Sequence, residues 1–282
     1  MSLAAVGYTT TSSENKLNYA GGFSFIPVGG GDTVLLKEVA VKNMNPEKDS
    51  IQYLKAEGAA KETAYTFVSD DFIRNELCED PTDEEELAEL KEIYGGWWVA
   101  GWWDSEDRET YGADNQPIPV GKGFLTLNAS RGNVLFTSAG QAPVALPELS
   151  VDIEGLNPMI ANYIPRDLKL DEITVDNMNP EKDSFQTLKP EGAAKETAYT
   201  YVSLQFIKDE LCEDPNDPVE VAEMWDTYGG WWIAGWWDSE DRETYGAGGV
   251  TMKVGEAYLG LIASRNKLTV NFPSSIPEKD AE

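Results

Sequence analysis

One segment of this chain recurs at a constant separation of 134 residues. Residues 43–50 return without change as residues 177–184, with no insertion or deletion in the stretch around them. The separation is far longer than the ~20–50 residues of a stacked solenoid unit, and it matches the size of one globular domain. The duplication therefore predicts two homologous domains, at residues 1–140 (the first repeat) and 141–282 (the second repeat).

The composition excludes several classes of function. The chain carries 50 acidic and 22 basic residues, a net charge of −28, and such a field repels phosphate and anionic lipid head groups. We therefore expect no nucleic-acid partner and no membrane insertion. The chain has no histidine, which excludes a Ser-His-Asp triad and histidine-ligated zinc. Cys78 and Cys212 occupy equivalent places in the two repeats, so a disulfide within one repeat is excluded.

The N-terminal sequence and the hydropathy predict where the protein is found. The first residues lack the basic start and apolar run of a secretory signal peptide. No stretch approaches the ~20 apolar residues that a membrane-spanning helix needs. These features predict a virion or cytoplasmic protein without a transmembrane segment.

Short alternating patterns predict a β-rich fold in each repeat. Residues 50–54 and 64–68 have the period of half-buried strands. Residues 123–127 and 134–136, separated by Arg131-Gly132-Asn133, indicate a closing pair of strands. The fold class is therefore mainly β with inserted helices (α+β). We expect two tandem β-sandwich or barrel-like domains, each with a helical pair between strands.

Capping signals locate the inserted helical pair. Ser69 precedes two acidic residues and an apolar run, as expected of a helix start. Thr82 to Glu85 reads as a capping box that opens a second helix. In the second repeat Asp217 takes the cap position and Pro218 the first helical position. This second helix differs most between the repeats while its boundaries persist, which indicates a scaffold element rather than a site.

A tryptophan-rich segment is the strongest candidate for binding. Residues 95–113 recur as residues 229–247 with one replacement, and the two copies hold eight of the nine tryptophans of the chain. Three interpretations remain open: core packing, an exposed aromatic platform for sugar rings, and a protein interface. The candidate binding residues are Trp97, Trp98, Trp102, Trp103, Trp231, Trp232, Trp236 and Trp237.

An acidic run follows each tryptophan segment. Carboxylate-rich loops suit calcium, which takes ~6–8 oxygen ligands, and the candidate ligands are Asp104, Glu106, Asp107, Asp238, Glu240 and Asp241. The order of an EF-hand loop is missing, and Arg108 would compete with an ion. A solvated turn whose charges pair with each other is the alternative. A catalytic carboxylate pair is disfavoured, because two acids on one short turn do not flank a substrate from opposite sides.

The general build resembles the tandem β-domain proteins of phage virions and bacterial cell surfaces, such as capsid decoration proteins and fibre shafts. The features that carry the resemblance are the short aromatic strands at residues 23–28 and 124–127, the Gly-Trp-Trp segments and the closing strand pairs. The resemblance implies no particular functional residue.

From these observations we expect a non-enzymatic structural or adhesive protein. It would be a virion or surface-assembly component, a decoration or attachment protein with an acidic face, whose partner is a capsid or surface lattice. The alternative is a carbohydrate-binding protein with two equivalent tryptophan-lined sites. No cofactor other than calcium is expected.

Overall fold

The computed structural model describes residues 5–14, 16–22, 33–55, 57, 61–93, 100–104, 112–142, 149–164, 166–191, 195–226, 234–239 and 246–273. Within them the first repeat contains ten strands: β1 Ala5–Ser12, β2 Asn18–Gly22, β3 Thr33–Leu35, β4 Val39–Lys42, β5 Asp49–Leu54, β6 Lys61–Val68, β7 Gly101–Asp104, β8 Pro117–Pro119, β9 Gly123–Asn128 and β10 Leu135–Ala142. The predicted strand at residues 23–28 lies outside the described residues.

The second repeat contains the equivalent ten strands: β11 Leu149–Ile153, β12 Met159–Ala161, β13 Leu168–Lys169, β14 Thr174–Asp176, β15 Asp183–Leu188, β16 Lys195–Val202, β17 Gly235–Asp238, β18 Thr251–Met252, β19 Ala257–Ile262 and β20 Leu268–Phe272. The helices are α1 Asp70–Glu76, α2 Glu84–Ile93, α3 Leu204–Glu210 and α4 Pro218–Asp226. Short 3-10 turns lie at Leu36–Glu38, Ala113–Asn115, Leu170–Glu172 and Ala247–Gly249. The predicted class, mainly β with inserted helices, is confirmed.

Both repeats use the same sheet topology. A five-stranded sheet has the order β2-β9-β5-β6-β7, a three-stranded sheet the order β1-β10-β4, and β3 pairs with β8. The second repeat forms β12-β19-β15-β16-β17, β11-β20-β14 and β13-β18 in the same way. Every described strand pair is antiparallel.

The core of the first repeat lies between its two larger sheets. Phe124 of β9 contacts Phe136 of β10 with ring centroids 5.7 Å apart, and both side chains are buried. The predicted closing strands therefore belong to different sheets and do not form a hairpin. The physical reason lies in the connection, where the buried Asn128 side chain donates to the carbonyl of Gly132 at 2.6 Å and to the hydroxyl of Ser13 at 3.1 Å. This polar anchor turns the chain from one sheet to the other.

The helical pair of each repeat covers the outer face of the five-stranded sheet. Ser69 accepts a hydrogen bond from the Phe72 amide at 3.1 Å, so the predicted cap of α1 is confirmed. The predicted capping box at Thr82 is wrong, because the Thr82 hydroxyl donates to Asp80 at 2.7 Å. Asp83 instead caps α2 and accepts from the Glu85 amide at 2.8 Å. Asp217 caps α4 as predicted, accepting from the Val219 amide at 2.9 Å.

A junction with near two-fold character joins the repeats. Two isolated antiparallel bridges cross it, Gly21 to Glu256 and Lys122 to Ile160, and Lys122 and Glu256 are equivalent positions 134 residues apart. The Gly22 amide donates to the carbonyl of Gly255 at 2.9 Å. The equivalent Ala161 amide donates to the carbonyl of Gly121 at 2.8 Å.

Ion pairs and a small apolar cluster complete the junction. Arg131 contacts Glu191 at 2.6 Å, and the equivalent residues Arg265 and Glu57 pair in the reverse direction. The junction also contains a cluster of buried small or flexible side chains from both repeats, namely Ala20, Met159, Ala161 and Ala257. The duplicated parts are thus held by the geometry of an isologous dimer interface within one chain.

Candidate functional site

The inner tryptophan pairs are core residues in both repeats. Side chains of neighbouring strand residues point to opposite faces. Trp102 therefore enters the sandwich core, and Trp103 lies under the helical pair with Val68, Ile73 and Leu87. Trp236 and Trp237 repeat this arrangement, and all four side chains are at most 3% exposed.

This burial corrects the hypothesis of an aromatic platform for those four residues. A sugar ring stacks only on an accessible indole face, and Trp102, Trp103, Trp236 and Trp237 have none. Their strands carry indoles on both faces because the other sheet covers one face and the helical pair covers the other. The remaining candidates Trp97, Trp98, Trp231 and Trp232 lie outside the described residues.

The acidic candidates are placed only in part. Asp104 and Asp238 end β7 and β17 and are half-buried, whereas Glu106, Asp107, Glu240 and Asp241 lie outside the described residues. Within the described ranges there is no group of three or more cysteine or acidic side chains that could hold a metal ion. A calcium site at these runs stays a prediction.

The buried carboxylates serve the fold. Asp49 is 2% exposed and accepts from the amide and the hydroxyl of Ser130, at 2.8 and 2.6 Å, and from the Asn45 amide at 2.9 Å. Asp183 and Ser264 repeat the contacts in the second repeat. A carboxylate whose lone pairs are occupied by the turn it organises is not positioned to act as a general base.

The two thiols are weak nucleophiles. Partial burial and the carboxylate of Glu86 raise the pKa of Cys78, and burial with Glu220 raises the pKa of Cys212. Since the thiolate is the reactive form, both positions favour an inert, half-buried side chain. Each thiol packs beneath its helical pair.

The two helical pairs differ in a way that matters for binding. In the first repeat Arg74 bridges the helices, donating to the carbonyl of Pro81 at 2.8 Å and pairing with Glu84 at 3.1 Å. In the second repeat Lys208 and Pro218 stand at the places of Arg74 and Glu84. Proline has no carboxylate, so this clamp cannot form there.

The missing clamp leaves an open groove between α3 and α4, with a volume of about 490 Å³. Leu204, which lines the groove, is 39% exposed, and Val219, which follows the lining residue Pro218, is 63% exposed. The first repeat has Asp70 and Glu85 at these two places. Among the described residues, the exposed large apolar side chains all belong to the second repeat. We refer to this feature as the α3–α4 groove.

The sequence contained a signal for this groove. The second inserted helix diverges most between the repeats, and one of its changes places Val219 where the first repeat has Glu85. The first inserted helix likewise begins with Leu204 in place of Asp70. An acidic chain gains nothing in solubility from such replacements. The replacement of charged by apolar side chains, rather than the number of changed positions, indicates a surface that contacts a partner.

Two further observations complete the description. No described helix is long and apolar enough to cross a membrane. No protein-family model, curated protein or solved structure matches this chain.

Proposed function

We propose that this protein is a non-enzymatic assembly component that attaches through the α3–α4 groove. In this proposal it is a structural or adhesive protein of a virion or surface lattice, with the acidic face of the chain turned outward. The observation that carries the proposal is the exposure of Leu204 and Val219 where the first repeat has Asp70 and Glu85.

The electrostatics of the groove favour one kind of partner. Lys208 lines the groove, Asp217 lies next to its lining residues Asn216 and Pro218, and the whole chain carries a net charge of −28. A complementary surface is basic at its rim and aliphatic at its centre, because complementary potentials speed encounter and fix the register of a complex. The partner we propose is therefore a basic amphipathic helix or patch on the assembly protein.

The absence of enzymatic activity is part of the same proposal. Histidine is missing from the chain, the thiols of Cys78 and Cys212 have raised pKa values, and the buried carboxylate of Asp49 is fully hydrogen-bonded. These facts support a binding role. Turnover of a substrate by the purified protein in a broad hydrolase screen would contradict it.

A defined peptide tests the groove directly. The probe is an amphipathic helical peptide of leucine and lysine, and its scrambled sequence serves as the negative control. Titration calorimetry with the full chain should detect the amphipathic peptide and not the scrambled one. The affinity should fall as salt is raised, because the rim contacts are exposed charges.

The variant Leu204→Asp/Val219→Glu restores the residues of the first repeat. The two side chains together expose about the area of one large apolar side chain, whose burial contributes ~1.5–3 kcal/mol. We therefore expect the affinity to fall roughly 10- to 100-fold. Peptide binding that is unchanged in this variant refutes the groove. The reciprocal variant Asp70→Leu/Glu85→Val is the matched control, because Arg74 still closes the first helical pair.

A further inference from the structure

A second cleft distinguishes the repeats, on the other side of the strand that carries Trp236. It has a volume of about 420 Å³ and lies between the edge of β17 and the turns Leu170–Glu172 and Ala247–Gly249. Asp171, Tyr201, Trp236, Gly248 and Gly249 line it. We call it the β17 cleft. Its volume falls within the range of small-molecule sites, ~300–1,000 Å³.

The first repeat closes the equivalent place with its own side chains. The Asp114 carboxylate accepts from the backbone amide of Trp102 at 3.1 Å. Beside it the Lys37 ammonium donates to the side-chain oxygen of Asn115 at 2.8 Å. The first of these bonds joins the turn Ala113–Asn115 to the edge of β7, and the second joins it to the turn Leu36–Glu38.

Three replacements remove this closure in the second repeat. Gly248 and Gly249 stand at the places of Asp114 and Asn115, and Asp171 stands at the place of Lys37. Trp236 pairs with Tyr201 in the register that Trp102 keeps with Phe67. The backbone amide of Trp236 therefore points towards Gly248, where the first repeat has the carboxylate of Asp114. A cleft with a hydrogen-bond donor at its floor results.

A fourth replacement adds a polar group to the same cleft. Residues 57–69 recur as residues 191–203 with a single change, and that change places the Tyr201 hydroxyl where Phe67 has none. The ring centroid of Tyr201 lies 5.3 Å from that of Trp236, so the aromatic packing of the first repeat is kept. Within an otherwise unchanged segment, the one difference adds a hydroxyl to a residue that lines the cleft.

The groups in the cleft match a polyhydroxyl ligand. Trp236 supplies an amide donor, Asp171 a carboxylate acceptor, and the Tyr201 hydroxyl donates or accepts. A sugar hydroxyl donates and accepts as well, and the partly exposed Tyr201 ring can pack against the apolar face of a pyranose. Gly249 leaves room, since a Cβ there would have no neighbour within 4 Å, whereas a Cβ on Gly248 would lie 3.0 Å from the Cβ of Asp171. Asp171 and the acidic surface disfavour an anionic sugar.

We propose that the β17 cleft is a binding site for a neutral pyranoside, present once per chain and in the second repeat alone. This site differs from the two equivalent tryptophan-lined sites that the sequence suggested, because the indoles of Trp236 and Trp102 are buried. It is also independent of the α3–α4 groove, so either site can fail in a test without deciding the other.

The test measures binding and stoichiometry with named probes. Ligand-observed NMR and titration calorimetry on the full chain use cellotriose, chitotriose and maltotriose as neutral probes and trigalacturonate as an anionic probe. We expect at least one neutral probe to bind in the millimolar range or tighter, with one equivalent per chain. Trigalacturonate should show no binding. Failure of all neutral probes, a second equivalent, or binding of trigalacturonate alone overturns the proposal.

Two variants test the closure: one closes the β17 cleft in the second repeat, and the other opens the equivalent place in the first repeat. Asp171→Lys/Gly249→Asn rebuilds the Lys37–Asn115 contact, and the backbone of Gly249 is not in the left-handed region, so the variant should fold. Its affinity for the neutral probe should fall at least about tenfold, at an unchanged melting temperature. Lys37→Asp/Asp114→Gly/Asn115→Gly opens the first repeat and should raise the stoichiometry towards two. A folded Asp171→Lys/Gly249→Asn protein that binds as the wild type does refutes the site.

Discussion

Replacing Gly22 by valine should break the junction between the repeats. A Cβ at this position would lie 2.0 Å from the Cβ of Ala161, which is fully buried. Ordinary carbon contacts are ~3.5–4.0 Å, so the strands have to separate by about 1.5–2 Å. The bonds from the Gly22 amide to Gly255 and from the Ala161 amide to Gly121, at 2.9 and 2.8 Å, are then lost.

The expected cost follows from these contacts. Overpacking a tight site costs ~1–3 kcal/mol, and each of the two backbone hydrogen bonds contributes ~0.5–1.5 kcal/mol. We therefore expect the Gly22→Val variant to lose about 2–5 kcal/mol of the free energy of unfolding. Urea denaturation followed by tryptophan fluorescence measures this loss, and calorimetry shows whether the repeats then unfold in separate transitions.

A matched control uses a glycine with open space around it. Gly249→Ala should change stability by less than about 1 kcal/mol, because the added methyl group meets no neighbour within 4 Å and only the entropy of the unfolded chain changes. If Gly22→Val is as stable as Gly249→Ala, the close approach at the junction is refuted.

Three further predictions concern single contacts. Burial raises the pKa of Glu256, so the ionised carboxylate destabilises the folded protein above that pKa. Glu256→Gln should therefore be more stable than the wild type at pH 7, and the difference should shrink towards pH 4, where the wild-type carboxyl is protonated. Thermal melts at both pH values measure this difference. Asp83→Ala should lower the free energy of unfolding by ~1 kcal/mol, because it removes the N-cap of α2. Thr82→Ala should lower it by less in the same urea titration. Arg131→Ala should cost at most ~1 kcal/mol, since the pair with Glu191 is exposed; a larger loss contradicts that reasoning.

Local signals in the sequence predicted the local structure well. The cap at Ser69, the cap at Asp217 and the strands around residues 50–54 and 64–68 were all found. Each depends on a few neighbouring residues whose backbone and side-chain chemistry is complete within one turn or strand. The capping box at Thr82 failed because Asp80, just outside the motif, competes for the threonine hydroxyl.

Features that depend on long-range contacts were not predictable. The pairing of β9 and β10 with different sheets follows from the buried Asn128 and its contact with Ser13, 115 residues earlier in the chain. The burial of Trp103 follows from a helical pair inserted before it in sequence. The spacing of the apolar residues predicts neither the sheet assignment nor the burial, because a strand that is covered on both faces shows no alternation of apolar and polar residues.

The duplication separates what holds the fold from what distinguishes one repeat from the other. Identical residues keep their places in both repeats: Trp102 and Trp236 are buried in the two cores, and Asp49 and Asp183 accept the same hydrogen bond from Ser130 and Ser264. A conservative account of the differing residues is drift on a tolerant surface.

Drift alone does not explain how the differences are arranged. Lys37, Phe67 and the adjacent pair Asp114-Asn115 are far apart in sequence, yet the four replacements at these positions meet in one cleft. The replacements of Asp70 and Glu84, by Leu204 and Pro218, likewise meet in one groove. Each set removes a closure and exposes a chemically coherent surface, polar in the cleft and apolar in the groove. The second repeat is thus the part of the molecule in which binding should be sought, with the first repeat as its closed counterpart.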